Sequence, residues 1–79
     1  MSKCSDHDYK TKQDIINFLK ASMEAETRYD REINYINAVE KALDLPNRSI
    51  EYSIIDDIHV WSDDFENQVQ NVIKLIQED

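Results

Sequence analysis

Carboxylates are the side chains of this sequence that could do chemistry, and they concentrate between Ser49 and Glu66. That stretch has no lysine or arginine and contains six acids: Glu51, Asp56, Asp57, Asp63, Asp64 and Glu66. Paired carboxylates can transfer protons in catalysis or bind a divalent metal ion. Adjacent acids such as Asp56 and Asp57, however, point in different directions in a helix or a strand, so they do not form a ready-made pocket. The sequence therefore predicts no catalytic residue and no metal site among these acids.

Thiol and imidazole groups offer little more. Cys4 and His7 have the spacing of half a zinc site, but a structural site requires four ligands, and only His59 and carboxylates remain. No serine or cysteine can be assigned to His59 as a nucleophile from spacing alone. The absence of glycine also excludes the glycine-rich nucleotide-binding motifs. We therefore expect a non-enzymatic protein without a cofactor.

Aromatic side chains are interleaved with the acids, and this mixture is typical of a binding surface. Tyr52 and Trp61 could supply desolvated contact area, while the carboxylates around them select a partner by charge. Phe65 is expected in the core. The alternative is that the acids only keep a small protein soluble. The predicted partner-binding residues are Glu51, Tyr52, Asp56, Asp57, His59, Trp61, Asp63, Asp64 and Glu66.

The net charge of the 79-residue chain is −8, and it is unevenly distributed. Residues 49–79 contain eight acids and a single base, Lys74, and so carry −7 of that charge. Such a field repels nucleic acid and anionic membranes and attracts basic protein surfaces. We therefore expect no direct binding of nucleic acid or membrane. The expected partner is a basic protein, such as a nuclease, a repressor or another nucleic-acid-binding protein.

Two functions fit this pattern. In the first, the protein inhibits or regulates a nucleic-acid-handling protein by covering its cationic surface. Carboxylates along helices would then either copy the phosphates of DNA or act by ordinary acidic recognition. In the second, the protein is a structural helical oligomer or assembly adaptor. It would use the apolar stripe of residues 11–45, including Val39 and Leu43, and the acids would be solubility groups.

The length of the chain predicts a single helical domain over residues 11–79, preceded by a flexible polar lead-in over residues 1–10. A domain this small buries limited apolar surface, so a homodimer or a partner would add stability. No apolar run is long enough to span a bilayer, and the N-terminus lacks the apolar core of a secretory signal. Together with the single Cys4, these features predict a cytoplasmic protein.

Two helices are expected in residues 11–45. Thr11 and Asp14 have the spacing of a capping box, which predicts a helix start at Thr11. Apolar residues then recur at three- and four-residue spacing. The pattern weakens in the middle, where Thr27 and Asp30 could cap a second helix. A hairpin of helices is favoured over one continuous helix. The expected ranges are 11–25 and 28–45.

Residues 49–61 fit two structures. Ile50, Tyr52 and Ile54 alternate as in a strand. The spacing of Ile50, Ile54 and Ile58 is helical. Because a hairpin would have to turn without glycine, a short helix is favoured and the hairpin is the alternative.

The last helix has the clearest pattern. Ser62 is a favourable N-cap residue, and Phe65, Val69 and Ile73 belong to a regular apolar stripe, which predicts a helix over residues 63–77. The predicted fold class is therefore all-α, a small bundle of three to four short helices. The alternative class is α+β with a short hairpin in 49–61.

In layout, the chain resembles the small acidic immunity proteins that neutralise colicin-type nucleases. Its segment IHVWSDD, Ile58 to Asp64, lies where that family carries Asp-Leu-Ile-Tyr-Tyr-Pro. The tyrosine pair and the proline are absent, so no residue role is carried over. In size and acidity the chain also resembles small phage-encoded antagonists, including anti-restriction and anti-CRISPR proteins. Both resemblances imply a small inhibitor of a nucleic-acid enzyme.

Overall fold

Four α-helices make up the fold in a computed structural model, which describes residues 6–78. No strand occurs within these residues, so the all-α prediction is confirmed and the hairpin alternative for residues 49–61 is wrong. None of the four helices is both long enough and apolar enough to cross a membrane. The helices are α1 (Asp6–Glu24), α2 (Arg28–Ala42), α3 (Ser49–Asp57) and α4 (Phe65–Glu78).

The predicted break between the first two helices is confirmed. Thr27 is the N-cap of α2, and its hydroxyl oxygen accepts a hydrogen bond from the backbone amide of Asp30 at 3.1 Å. The fully buried Ser22, near the end of α1, donates its hydroxyl to the carbonyl of Arg31 at 2.8 Å. A threonine cap and a buried serine therefore fix the corner of the α1–α2 hairpin.

The predicted start of the first helix is wrong. α1 begins at Asp6, so residues 6–10 of the expected lead-in are helical, and residues 1–5 lie outside the described chain. Thr11 is buried inside α1 and cannot cap it. Asp8 lies in the first turn of α1, where the helix dipole favours negative charge.

Two other boundaries differ by a few residues. α2 ends at Ala42 and not at 45, and the amide of Leu45 bonds the carbonyl of Ala42 as the chain turns and buries Leu45. α4 begins at Phe65 and not at 63. The hydroxyl of Ser62 accepts a hydrogen bond from the amide of Asp64 at 3.0 Å, so Ser62 shapes the turn that leads into α4.

The core takes apolar side chains from all four helices and from the segments that follow α2 and α3. The predicted stripe of α4 is buried, as are the helically spaced isoleucines of residues 50–58. From α2, by contrast, only two alanines are fully buried. The core residues are Ile15, Ile16, Leu19, Ala38, Ala42, Leu45, Ile50, Ile54, Ile58, Phe65, Val69, Val72, Ile73 and Ile76.

A candidate protein-binding surface around Trp61

The loop between α3 and α4 carries Trp61, and hydrogen bonds to two helices hold this loop in place. The backbone amide of His59 donates to Oε1 of Gln68 in α4 at 2.8 Å. The guanidinium of Arg31, in α2, donates to the carbonyl of Val60 at 3.1 Å. The loop is thus a positioned part of the fold, although it has no regular secondary structure.

The two aromatic side chains predicted to bind a partner are exposed. Tyr52 on α3 is 59% exposed and Trp61 is 53% exposed, whereas Phe65 is buried in the core. Each of the two aromatic rings near the loop has an arginine of α2 over it. The guanidinium carbon of Arg28 lies 5.4 Å from the ring centroid of Trp61. The guanidinium carbon of Arg31 lies 4.6 Å from the ring centroid of Phe65. These cation–π contacts couple the loop to α2.

Trp61 separates two open grooves. The first groove, of about 470 Å³, includes Arg28, Arg31, Asp63 and Glu66 and is rich in charge of both signs. The second groove has a volume of about 520 Å³ and a more apolar lining. Trp61 and Ser62 line both grooves. The second groove is lined by Glu32, Tyr35, Ile36, Ile58, His59, Val60, Trp61 and Ser62.

The predicted acids differ in their structural roles. Asp56 and Asp57 are exposed in the last turn of α3, where the helix dipole disfavours negative charge. Neither forms an ion pair within the described part of the chain. Asp64 precedes α4 and accepts a hydrogen bond from the side-chain amide of Asn67 at 3.0 Å. Asp56 and Asp57 are therefore the acids whose position in the fold is unfavourable for their charge.

Glu51 does not lie on this surface, contrary to the sequence-based prediction. Its side chain is buried in the first turn of α3, where a carboxylate is favoured by the helix dipole. Its Oε1 lies 3.3 Å from Nη1 of Arg48, with which it forms an ion pair. Glu51 has a structural role in starting α3. The other eight predicted residues are exposed: Tyr52, Asp56, Asp57, His59, Trp61, Asp63, Asp64 and Glu66.

Sequence reasoning missed the contribution of α2 to this surface. Arg28 and Arg31 reach the aromatic rings, and Glu32, Tyr35 and Ile36 line the second groove. These residues lie far from Trp61 in the sequence, so spacing alone gives no sign of their proximity. The surface is thus a composite of α2, the end of α3 and the loop before α4.

Tyr35 connects the second groove to α3. Its hydroxyl donates to the carbonyl of Ile54 at 3.3 Å. Burial raises the pKa of Tyr35 above its usual value, and the negative charge of Asp56 raises that pKa further. The protonated hydroxyl is therefore the form that the folded protein favours.

Replacing Tyr35 with phenylalanine should change the alkaline stability of the protein. In the wild type, the unfolded tyrosine ionises near pH 10 while the folded one keeps its proton, so the free energy of unfolding falls as pH rises above about 10. At neutral pH the variant should be less stable by roughly 0.5–1.5 kcal/mol, because one hydrogen bond is lost. Urea unfolding at a series of pH values from neutral to about 12 measures the free energy of unfolding of the wild type and of the variant. A stability difference that stays constant over this range would contradict the assigned environment of Tyr35.

No metal-binding group of three or more His, Cys, Asp or Glu side chains occurs in the part of the chain that the structure describes. The candidate ligands Cys4 and His7 lie outside the described side chains, so the prediction about zinc stays a prediction. No protein-family model matches the chain, and neither do any curated protein or solved structure. The function must therefore be argued from this surface.

Proposed function

We propose that this protein is a small, non-enzymatic, cytoplasmic binding protein that inhibits or regulates a basic, nucleic-acid-handling protein. It would do so by covering the cationic surface of that partner with the acids and aromatic side chains around Trp61. Direct contact with nucleic acid or membrane forms no part of this function. The protein would act as an antagonist of the DNA-mimic or immunity-protein kind.

The observation that carries this proposal is the position of Asp56 and Asp57. Two adjacent carboxylates at the C-terminal end of a helix repel each other and the helix dipole, and within residues 8–78 neither of them forms an ion pair. A fold selected for stability alone would favour a lysine or arginine there. Exposed charge that costs stability is typical of a binding surface, because activity often requires a destabilising arrangement.

The neighbouring side chains support the same function. Tyr52 precedes the two aspartates by one turn of α3, and Trp61 follows them in the loop. Large exposed aromatic rings beside uncompensated charge provide both contact area and electrostatic steering. Arg28 and Arg31 keep their positive charge where they lie over aromatic rings, but within the described residues neither forms an ion pair with Asp56 or Asp57.

Reversing the charge of this pair tests the proposal. The variant Asp56→Lys/Asp57→Lys should fold at least as stably as the wild type, because lysines suit the end of α3. Its affinity for the basic partner should fall by more than about tenfold, since close charge pairs at interfaces contribute about 1.5 kcal/mol or more. The partner is first isolated by capture on immobilised wild-type protein at low and high salt. It is then titrated against both proteins by calorimetry.

A matched control separates the site from the total charge. Glu24 and Glu78 are also exposed and also end helices, α1 and α4. The variant Glu24→Lys/Glu78→Lys therefore changes the net charge equally at the same kind of position. It should bind the partner within a few-fold of wild type at moderate salt, because neither glutamate belongs to the proposed binding surface and salt screens exposed charges that make no direct contact. Equal weakening by both variants would show that only net charge matters and would contradict the proposed surface.

Self-assembly is the second candidate function, and exposed apolar side chains on α2 favour it. Ile33, Ile36 and Leu43 belong to the predicted stripe of residues 11–45 but face solvent, while Val39 is partly buried against the core. A structural oligomer or adaptor would cover them with a second copy. Sedimentation equilibrium distinguishes the two functions, since only self-assembly makes the average mass rise with protein concentration.

A further inference from the structure

Helix α2 has apolar residues on two opposite faces. The inward face carries the fully buried Ala38 and Ala42. We define the outer face of α2 as the four large side chains that point away from the core and are between 39 and 71% exposed. These are Tyr29, Ile33, Ile36 and Leu43.

This arrangement places small side chains inside and large ones outside. Burying an isoleucine stabilises a protein more than burying an alanine, so exposure of Ile33 and Ile36 is not explained by the stability of the monomer. Tyr29, Ile33 and Ile36 follow one another at four- and three-residue intervals, which aligns them along one ridge of the helix. Glu40 occupies the next position on this ridge, and Leu43, the C-cap residue of α2, ends it about 21 Å from Tyr29. An exposed apolar patch such as the one formed by Tyr29, Ile33 and Ile36 marks an interaction site.

The charges beside the outer face are acidic. Glu32 is exposed at the edge of the ridge, Glu40 is exposed on the ridge between Ile36 and Leu43, and Asp44 follows just beyond the end of the helix. The three basic side chains of α2 are turned to other contacts. Arg28 and Arg31 lie over aromatic rings. The third, Lys41, has its Nζ 3.8 Å from Oδ2 of Asp14 on α1. The ridge is therefore apolar from Tyr29 to Ile36, and it is negative at Glu32, at Glu40 and at Asp44.

The second groove joins this ridge to Trp61. Ile36 belongs to the outer face and also lines the groove, together with Glu32 and Trp61. The apolar surface thus continues from the ridge of α2, across the groove, to the exposed indole. This continuity brings the outer face within reach of the acids at the end of α3.

We propose that the outer face of α2 and the second groove together bind a cationic amphipathic helix of the partner protein. Apolar side chains of that helix would lie along Ile33 and Ile36, and its flanking lysines and arginines would pair with Glu32 and Glu40. This is the helix-to-groove mode of peptide recognition, with complementary charge at the rim. The inference rests on the proposed function and specifies the structural element of the basic partner that is recognised.

Charge argues for this occupant over a second copy of the chain. A symmetric dimer through α2 would bring Glu32 and Glu40 of both copies into one interface, with a net charge of −8 on each chain. Like charges in close opposition disfavour association. A basic helix offers the same apolar contact and replaces that repulsion with attraction.

Two synthetic peptides of about 18 residues, long enough to cover the ridge, test this proposal. Both contain the same leucines, lysines and arginines. In one the leucines recur at three- and four-residue spacing, and in the other their order is scrambled. Calorimetry and the fluorescence of Trp61, the only tryptophan of the chain, report binding. We expect the amphipathic peptide to bind at least about tenfold more tightly than the scrambled one and to retain this advantage at high salt.

Substitutions locate the binding surface. The variant Ile33→Ser/Ile36→Ser should remain folded, because neither isoleucine belongs to the core or to the partly buried side chains packed against it, and it should lose the preference for the amphipathic peptide. Leu75→Ser is the matched control, since Leu75 is equally exposed but lies on α4. It should leave binding of both peptides unchanged. Equal binding of the two peptides by wild type, or an unchanged preference in the double variant, would overturn the proposal.

Two further outcomes separate this inference from the function it rests on. If wild type sediments as a dimer that Ile33→Ser/Ile36→Ser dissociates, the occupant of the outer face is a second copy and the inference is wrong. If the double serine variant binds the captured partner as well as wild type does, while Asp56→Lys/Asp57→Lys binds weakly, the inference fails and the proposed function stands. If instead Ile33→Ser/Ile36→Ser binds the partner weakly and Asp56→Lys/Asp57→Lys binds it as well as wild type does, docking on α2 is supported and the role of the aspartates is refuted.

Discussion

Replacing Ile54 with alanine should lower the free energy of unfolding by roughly 2–5 kcal/mol. Ile54 is 0% exposed and, with Ile50, anchors the short helix α3 in the core. A domain of this size has a total stability of roughly 4–12 kcal/mol, so the loss is a large part of the whole. The melting temperature should fall by about 10 °C or more.

The neighbouring residue provides the control. Ile55 is 46% exposed on the other side of α3, and Ile55→Ala should change the stability by less than about 1 kcal/mol. Urea titrations followed by far-UV circular dichroism measure both variants, and equal slopes of the two transitions would show that only stability has changed. Similar losses for Ile54→Ala and Ile55→Ala would contradict the orientation of α3.

This pair of substitutions also bears on function, because α3 carries Asp56 and Asp57. Ile54 lies directly before Ile55 and Asp56, and its carbonyl accepts the hydrogen bond of Tyr35. Loosening α3 from the core would therefore displace Asp56 and Asp57 together with Ile58, the C-cap residue of α3, which lines the second groove. A partner that binds this surface should have a lower affinity for the Ile54→Ala variant than for wild type, even under conditions in which the variant remains folded.

The sequence predicted the helices well where one apolar stripe and one cap agreed. α4 is the clearest case, because Phe65, Val69 and Ile73 leave a single face for the core. The break at Thr27 was also predictable, because a threonine at the N-cap accepts a hydrogen bond from the backbone amide three residues later, here that of Asp30. At α4 and at Thr27, the apolar spacing and the capping residue predict the same helix boundary.

The orientation of α2 could not be predicted in this way. The predicted apolar stripe of residues 11–45 includes the larger Ile33 and Ile36, whereas the structure buries Ala38 and Ala42 and leaves the isoleucines partly exposed. Both sets repeat with helical spacing, so the sequence contains two competing faces. Which one is covered depends on neighbouring helices, because alanines at a contact allow helix axes to approach closely.

The site shows the same division between local and long-range information. The exposed acids and the aromatic side chains Tyr52 and Trp61 were identified as candidates from a single stretch of sequence. The burial of Glu51 depends on tertiary packing, and so do the contacts of Arg28 and Arg31 with the aromatic rings of Trp61 and Phe65. Contacts between residues some thirty positions apart leave no periodic signal, and Arg31 makes two such contacts.

Replacing Arg31 with alanine should have the second large effect on stability, a loss of roughly 2–3 kcal/mol. The guanidinium lies over Phe65 and donates to the carbonyl of Val60 at 3.1 Å, so the change removes a partly desolvated cation–π contact and a charged hydrogen bond. The loop before α4 should also loosen. Hydrogen exchange of the amides of His59 and Ser62 should accelerate, while amides within α1 follow only the global loss of stability.

Two control variants identify the reason for the effect of Arg31→Ala. Arg31→Lys keeps the charge but not the planar guanidinium, so it should restore less than half of the lost stability. Arg28→Ala removes only the exposed contact with Trp61 and should cost less than about 1 kcal/mol. Full rescue by lysine would mean that charge alone matters at position 31. Unchanged exchange of the His59 and Ser62 amides in Arg31→Ala would show that the hydrogen bonds to Gln68 and within the loop position Trp61 without help from α2.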